Sequence, residues 1–391
     1  MIINSQFDSG NIQVISAESP KDIVLSIRND AQSDFYQWFH FKLHSSPFVE
    51  HIIRITGLVN SAYPDGWENY QAVASYDREE WFRVDTTFDG GNLIIDFTPE
   101  YEAVYIAYFA PYSYERHQSL IASAQMALEC KHELLGLTID GREMNLLIIG
   151  DETHSNELSD NGNNEHGKKT SKNKIWITAR QHPGETMAEW LVEGLLNRLL
   201  DEDDGVARKL LEDNVFYVIP NMNPDGSVRG HLRTNAVGRN LNREWAAPCQ
   251  VNSPEVFYTL TKMDSVGVDL FLDIHGDEAL PYNFVAGTEG NPGYSPRIAA
   301  LENTFKKAFT ATTPEFQDVH GYPKDKPGKA NMTVACNAVG QRFDCLAYTL
   351  EMPFKDNIEL PDPSYGWSPA RSMQLGEDLL VAIRAVVDDL R

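Results

Sequence analysis

Residues 174–189 read KIWITARQHPGETMAE, and this stretch decides the fold. Ile175 to Ala179 make a short apolar run of the length expected for a buried strand. His182, Pro183, Gly184 and Glu185 follow at once, and then Met187, Trp190, Leu191, Leu195, Leu199 and Leu200 recur at helical spacing. A strand that turns through Pro-Gly into a helix is one unit of an α/β sheet. His182 and Glu185, three residues apart at the strand's end, look like half of a metal site. Such pairs also arise by chance, so isolated structural residues remain the plain alternative.

Working outward, the same grammar repeats. Strands are expected at 214–220 (NVFYVIP), 269–274 (DLFLDI) and 346–350, and helices at 298–309 and 375–390. Strands at 134–139 and 143–149 flank Asp140-Gly141, a strong hairpin signal. Apolar strands alternating with helices predict an α/β fold with a mixed, mostly parallel sheet covered by helices on both faces. Ligands in such sheets gather beyond the carboxyl ends of strands, where His182, Glu185, the 223–226 turn, His275 and Glu351 fall. The stretch 151–174 is almost wholly polar and reads as an exposed loop, so His154 and His166 within it are poor ligand candidates.

The first 115 residues have another texture. Short strands are expected at 11–16, 23–28, 36–43, 51–56, 71–76, 81–86, 92–97 and 104–109, separated by turn residues such as Pro64-Asp65-Gly66 and Asp89-Gly90-Gly91. This pattern predicts an antiparallel β-sandwich. Its aromatic residues read as core; nothing in the sequence selects a carbohydrate-binding surface. The expected division is therefore a β-sandwich over 1–115 and an α/β domain over 116–391, joined by PYSYERH (111–117) and a helix over 119–128.

The 391 residues are 42% hydrophobic with a formal net charge of -24. An acidic chain of pI near 4.8 argues against nucleic-acid binding. No run approaches a membrane span. Cys130, Cys249, Cys336 and Cys345 contain no CxxC pair, so buried free thiols are expected rather than a thiolate zinc site. The N-terminus lacks the basic and apolar regions of a secretory signal, which points to the cytoplasm. The oligomeric state is not written in the sequence.

Catalytic zinc commonly takes three protein ligands, two histidines and a glutamate among them, and leaves a position for water. His275, ending DLFLDIH, is the natural third partner of His182 and Glu185. Glu351, after YTL at another strand end, could carry a proton in the same cleft. Residues 221–245 (NMNPDGSVRGHLRTNAVGRNLNREW) are dense in Asn and Arg, and Arg233, Asn242 and Arg243 could grip a carboxylate and an oxyanion. A surface glutamate and a solvated loop are the bland readings of these two segments.

Taken in order, HPGE (182–185), NPDG (223–226), GRNLNREW (238–245), the DIHG around His275 and YTLE (348–351) resemble the motifs of the M14 zinc metallocarboxypeptidases. YQWFHFKL and PYSYERH are similar to the N-terminal domain and junction of the cytosolic carboxypeptidase branch, whose relatives include protein deglutamylases. The resemblance implies one Zn2+ per chain on His182, Glu185 and His275, with Glu351 as general base and acid. It implies Arg233 at the scissile carbonyl, and Asn242 and Arg243 on the terminal carboxylate of a peptide or protein substrate. Asn223 and Asp225 are expected to shape a turn.

Two departures stand out. Asn240 occupies the position where the family has an Asp supporting a zinc-bound histidine. An amide oxygen can still accept the imidazole proton, with less effect on ligand basicity. For an acidic substrate side chain, Lys324, Lys326, Lys329 and Arg342 are available cations without rank, and Tyr322 is a candidate substrate-capping tyrosine. Two alternatives to a carboxypeptidase are a zinc-dependent N-acyl amino acid deacylase, which would use the same ligand set, and a non-catalytic peptide-binding protein.

Overall fold

The structure, a computed structural model, describes residues 1–151 and 171–390. The expected polar loop with His154 and His166 lies mostly outside them.

Ten strands build the N-terminal part: β1 (Ile2–Asn4), β2 (Gln13–Ser19), β3 (Asp22–Ser26), β4 (His40–His44), β5 (His51–Thr56), β6 (Val73–Ser75), β7 (Phe82–Arg83), β8 (Thr86–Phe88), β9 (Leu93–Phe97) and β10 (Ala103–Ala107). They form two five-stranded sheets, ordered β1-β4-β10-β6-β7 and β2-β3-β5-β9-β8. All pairs are antiparallel except β3 with β5. In β5 (HIIRIT), residues alternate between buried and half-buried, the period-2 signature of a strand with one face in a core. The run expected at 36–43 joins a ladder only from His40. Trp38 and Phe39 are buried by packing, before the strand starts. The run at 81–86 is split between β7 and β8.

Helix α1 (Tyr114–Ala124) begins inside the junction, five residues earlier than expected, because Ser113 caps it by accepting from the Arg116 N–H at 3.1 Å. It stops at Ala124, so Leu128 is 95% exposed instead of sharing the helix's apolar face.

A seven-stranded sheet follows, from β11 (Cys130–Leu137), β12 (Glu143–Ile149), β13 (Asn173–Ala179), β14 (Asn214–Ile219), β15 (Leu270–Asp277), β16 (Phe284–Ala286) and β17 (Leu346–Pro353), ordered β11-β12-β14-β13-β15-β17-β16. The four central strands run parallel, and the strands flanking them on both edges run antiparallel. Every residue of β14 and β17 is buried, as strands covered on both faces require. The helices are α2 (Met187–Leu199), α3 (Gly205–Asp213), α4 (Pro224–Arg229), α5 (Pro254–Val266), α6 (Pro296–Thr312), α7 (Ala335–Phe343) and α8 (Pro369–Arg384). Among the described residues, none is long and apolar enough to cross a membrane.

One face of this sheet packs on α2, α6 and α8 in an apolar cluster that runs without a break into the N-terminal sheets. The other face packs on α5 and α7, with Trp176, Tyr217, Trp245 and Phe271. Helices α2 and α8 touch backbone to backbone. A Cβ added at Gly376 would lie 2.0 Å from the Leu191 carbonyl oxygen, and one at Gly194 would lie 2.1 Å from that of Met373. Helices α3, α4, α5 and α7 and strands β1 and β16 are additions to the expected elements. Three of the four cysteines are buried, while Cys249 is exposed, contrary to expectation.

Candidate active site

The parallel strands present their carboxyl ends to one cleft of about 500 Å3. Its floor starts at the exit of β13. Arg180 has a left-handed backbone (φ 58), uncommon for a bulky residue. Its buried guanidinium donates to the Pro183 and Tyr112 carbonyls, both at 2.9 Å, and pairs with Glu189 at 2.7 Å. That clasp fixes the HPGE turn.

His182 Nδ1 lies 2.6 Å from Glu185 Oε1, and His275 Nδ1 lies 2.7 Å from Glu185 Oε2. The two Nδ1 atoms are 3.2 Å apart. One ligand atom from each of the three residues lies within 4.8 Å of the others, and all three residues are buried. The outer nitrogens are already used: His182 Nε2 meets Asn240 Oδ1 at 3.1 Å, and His275 Nε2 meets Asp273 Oδ2 at 2.7 Å. A neutral imidazole that donates from Nε2 offers only a lone pair at Nδ1. In the neutral tautomers that bind metal, two such lone pairs and a carboxylate face one another, and a shared cation would satisfy them. The distances and the nitrogen-oxygen donor set fit a single zinc ion.

The two histidines differ in their support. Asp273 is fully buried and also accepts from Thr178 Oγ1 at 2.8 Å and from Gln181 Nε2 at 2.5 Å, and Gln181 in turn accepts from Trp245 Nε1 at 2.8 Å. Burial works against charge on both rings. For His275, Asp273 and Glu185 outweigh it and hold its pKa well above the ordinary value. For His182, burial and then the Arg233 charge win, and the pKa falls to about 4. Asp273 escaped the sequence reading. Its signal was its place two residues before His275, which puts both side chains on one side of β15.

Glu351 stands beside His275 because β15 and β17 pair in parallel at that register. Its Oε1 lies 3.1 Å from the Tyr322 hydroxyl, which is also 2.6 Å from Asp277 Oδ2 and can donate to one of them at a time. Among the described residues its Oε2 has no hydrogen-bond partner. Burial raises its pKa well above the carboxylate range.

The wall comes from loops. Arg233, Asn242 and Arg243 line the same cleft as the metal cluster. Asn242 Oδ1 accepts the Ala335 N–H at the start of α7 (2.8 Å), so its amide donors are the part left for a ligand. The Arg233 guanidinium lies 5.3 Å from the Tyr63 ring centroid and 5.7 Å from that of Phe35, both from loops of the N-terminal part. Tyr63 and the buried Glu278 also line the cleft, and the sequence carried no signal for either.

Of the four cations considered for an acidic side chain, Lys324 alone lines the cleft, joined by Lys306. Both are paired, Lys324 with Glu289 at 2.6 Å and Lys306 with Asp318 at 3.0 Å. Arg342 is spent on Asp264 at 2.6 Å, away from the site. Asn223 caps α4 by accepting the Gly226 N–H at 3.1 Å. Asp225 receives Thr138 Oγ1, the Asp140 N–H and Arg142, each at 2.8 Å, which agrees with a structural part for that turn.

Comparison with known proteins follows the same outline. Residues 3–109 match the cytosolic carboxypeptidase N-terminal domain, and residues 123–377 match the zinc carboxypeptidase family. A metallo-carboxypeptidase from Burkholderia cenocepacia superposes with a TM-score of 0.93 at 46% identity, covering 99% of both chains. One from Pseudomonas aeruginosa, solved in complex with (2-guanidinoethylmercapto)succinic acid, gives 0.94 at 48% identity over all of both chains. An uncharacterized protein of Zymomonas mobilis is 45% identical over 99% of this chain and 97% of its own length. Cytosolic carboxypeptidase 3 of Mus musculus is 25% identical over 74% of this chain, and the matched part is 30% of the mouse protein.

Proposed function

The chain belongs to the zinc carboxypeptidase family, and from that premise we propose how its cleft divides the work of removing a C-terminal residue. The enzyme is a zinc-dependent metallocarboxypeptidase acting on peptide or protein C-termini. In the proposed division His182, Glu185 and His275 hold one zinc ion. When bound there, zinc polarises a carbonyl and makes water acidic near neutral pH. Glu351 takes the proton of the attacking water as the C–O bond forms and returns it to the leaving amine as the C–N bond then breaks, so no net proton is lost. The unpartnered Oε2 of Glu351 supports that duty. Arg233 donates to the oxygen that gains charge as the carbonyl carbon becomes tetrahedral. Asn242 and Arg243 hold the terminal carboxylate, which sets the last peptide bond over the metal cluster.

The observation that carries this reading is a buried His-Glu-His cluster beside a buried carboxyl, with two arginines in one cleft. Its test compares peptides that differ only in a free or an amidated C-terminus. Release of the last residue from the free form alone is expected, and equal cleavage of both would end the carboxylate-anchored scheme. An N-acylated amino acid in the same panel tests the deacylase alternative.

Side-chain preference is the finer question. Removal of acidic residues, as in a deglutamylase of the cytosolic branch, draws support from Lys306 and Lys324 on the wall. An acidic side chain would have to displace Asp318 or Glu289 from them. Preference for a basic side chain draws support from Glu289, Asp318 and Asp325 on the same wall. The Pseudomonas relative's ligand, a succinate with a guanidino arm, points the same way. Mass spectrometry of peptides ending in Glu, Asp, Lys, Arg or Leu separates the two. We further propose the 115/116 division of domains, and the cytoplasm as the compartment; the names of the 25% identical curated relatives support the latter.

A further inference from the structure

The geometry points to Asp30, in the N-terminal sheets' Asp30-to-Phe35 turn, as a positioning residue that sets the Arg233 guanidinium over the cleft. This rests on the role proposed for Arg233. Asp30 is 2% exposed, and its carboxylate faces the loop that carries Arg233. Oδ1 accepts the Leu232 N–H at 2.7 Å. Oδ2 accepts the Arg233 N–H at 2.8 Å, the Thr234 N–H at 2.9 Å and the Thr234 hydroxyl at 3.1 Å. A buried carboxylate with four donors in hydrogen-bond reach across two domains is a built contact, since either partner alone leaves polar groups unsatisfied.

The same turn reaches the side chain. The Asp30 N–H donates to the Phe35 carbonyl at 2.8 Å, which closes the turn and puts the Phe35 ring beside the guanidinium. One residue further, the Ala31 N–H donates to His231 Nε2 at 3.0 Å. Backbone and side chain of Arg233 are thus held from one short segment, with Tyr63 as a second aromatic contact. Arginine makes directional contacts through a planar fork, so a displaced loop misaims it.

The effect separates from general stability. Arg233 acts on the developing oxyanion, while Asn242 and Arg243 bind the carboxylate, so misaiming Arg233 falls on kcat rather than KM. In Asp30→Asn an amide NH2 must face at least one backbone N–H.

The test uses the full-length, zinc-loaded chain and a peptide with a free C-terminus, with zinc content and Tm recorded for every variant. Asp30→Asn is expected to lower kcat by about tenfold or more with KM within about twofold. Combined with Arg233→Ala, the Asp30→Asn loss should vanish. Asn11→Ala is the control at the same interface: it removes the Nδ2 bonds to the Gly230 and Arg28 carbonyls (2.8 and 3.1 Å) without touching residues 232–234, and should lower Tm and spare kcat. Unchanged kcat in Asp30→Asn, a loss that persists with Arg233→Ala, or an equal loss in Asn11→Ala overturns the proposal. Full kcat in Arg233→Ala strikes the role of Arg233 itself, and this proposal with it. Should Asp30→Asn not fold, Phe35→Leu decides: a kcat loss of about threefold supports the contact, and no loss overturns it.

Discussion

The floor of the cleft and its wall are made by different means. The floor is sheet: His275 and Glu351 are neighbours in one parallel ladder, and Asp273 lies under His275 on the same strand. The wall is loop: Arg233, Asn240, Asn242 and Arg243 come from the irregular stretch after α4 and before α5, apart from the three-residue 3-10 turn Leu241–Arg243. Sheet register fixes the first set within the domain. Hydrogen bonds to Asp30 and α7 fix much of the second. Changes at His275 and Glu351 are therefore expected to cost chemistry outright, whereas the wall can lose precision by degrees.

The largest expected effect breaks the floor outright. His275→Ala removes one of the three residues proposed to hold zinc and leaves Glu185 and Asp273 without their shared partner. Zinc content by mass spectrometry should fall well below one per chain, and peptide release should disappear. Retained zinc with retained turnover would mean that the cluster is not the metal site. Next comes Glu351→Gln. Loss of proton transfer should cut kcat by about 10^2 to 10^4 while zinc stays bound. A variant with normal kcat removes Glu351 from the mechanism.

A third test, a pair of variants, sets floor against wall directly. Asp273→Asn takes the charge from behind His275, and Asn240→Asp puts one behind His182. Partners of ligating histidines alter metal affinity by about 10- to 100-fold. Competition with a chromogenic chelator should show Asp273→Asn weakened in that range, and Asn240→Asp strengthened by less. Equal and small shifts would erase the distinction between the two supports.

The smallest effect reports on the wall's outer brace. Asn235, in the Arg233 loop, sits near Glu255 at 3.3 and 3.4 Å from its two oxygens. Burial raises the Glu255 pKa to about 8. A carboxyl whose folded pKa exceeds its unfolded one contributes fully below about 4.5 and loses that contribution as pH rises towards 8. The slope is at most about 1.4 kcal/mol per pH unit. Glu255→Gln should flatten the decline of urea-unfolding stability over this window with little change in kcat. An unaltered slope would show Glu255 ionised throughout.

The contrast also explains what was legible. The cluster residues could be read because His182 and Glu185 are a local pair after a strand, and His275 and Glu351 end two further apolar runs of sequence. Strand β17 and the terminal helix α8 followed from apolar runs, though α8 begins and ends about six residues earlier than expected. Helix α7 (ACNAVGQRF) could not be read, since Asn and Gly are weak helix formers and its first turn leans on Asn242. Tyr63, Phe35 and Asp30 were illegible as site residues for a plainer reason. Nothing near them in sequence shares their task, and their partners lie far along the chain.

That separation has a temporal side. Asp30 and Leu232 are 202 positions apart, so at about 5–20 residues per second the ribosome adds the second roughly 10–40 s after the first. The Asp30 carboxylate has no partner loop until residues 232–234 have been added. His275 and then Glu351 emerge later still. A nascent chain thus lacks the proton carrier of the proposed mechanism until residue 351 has been added.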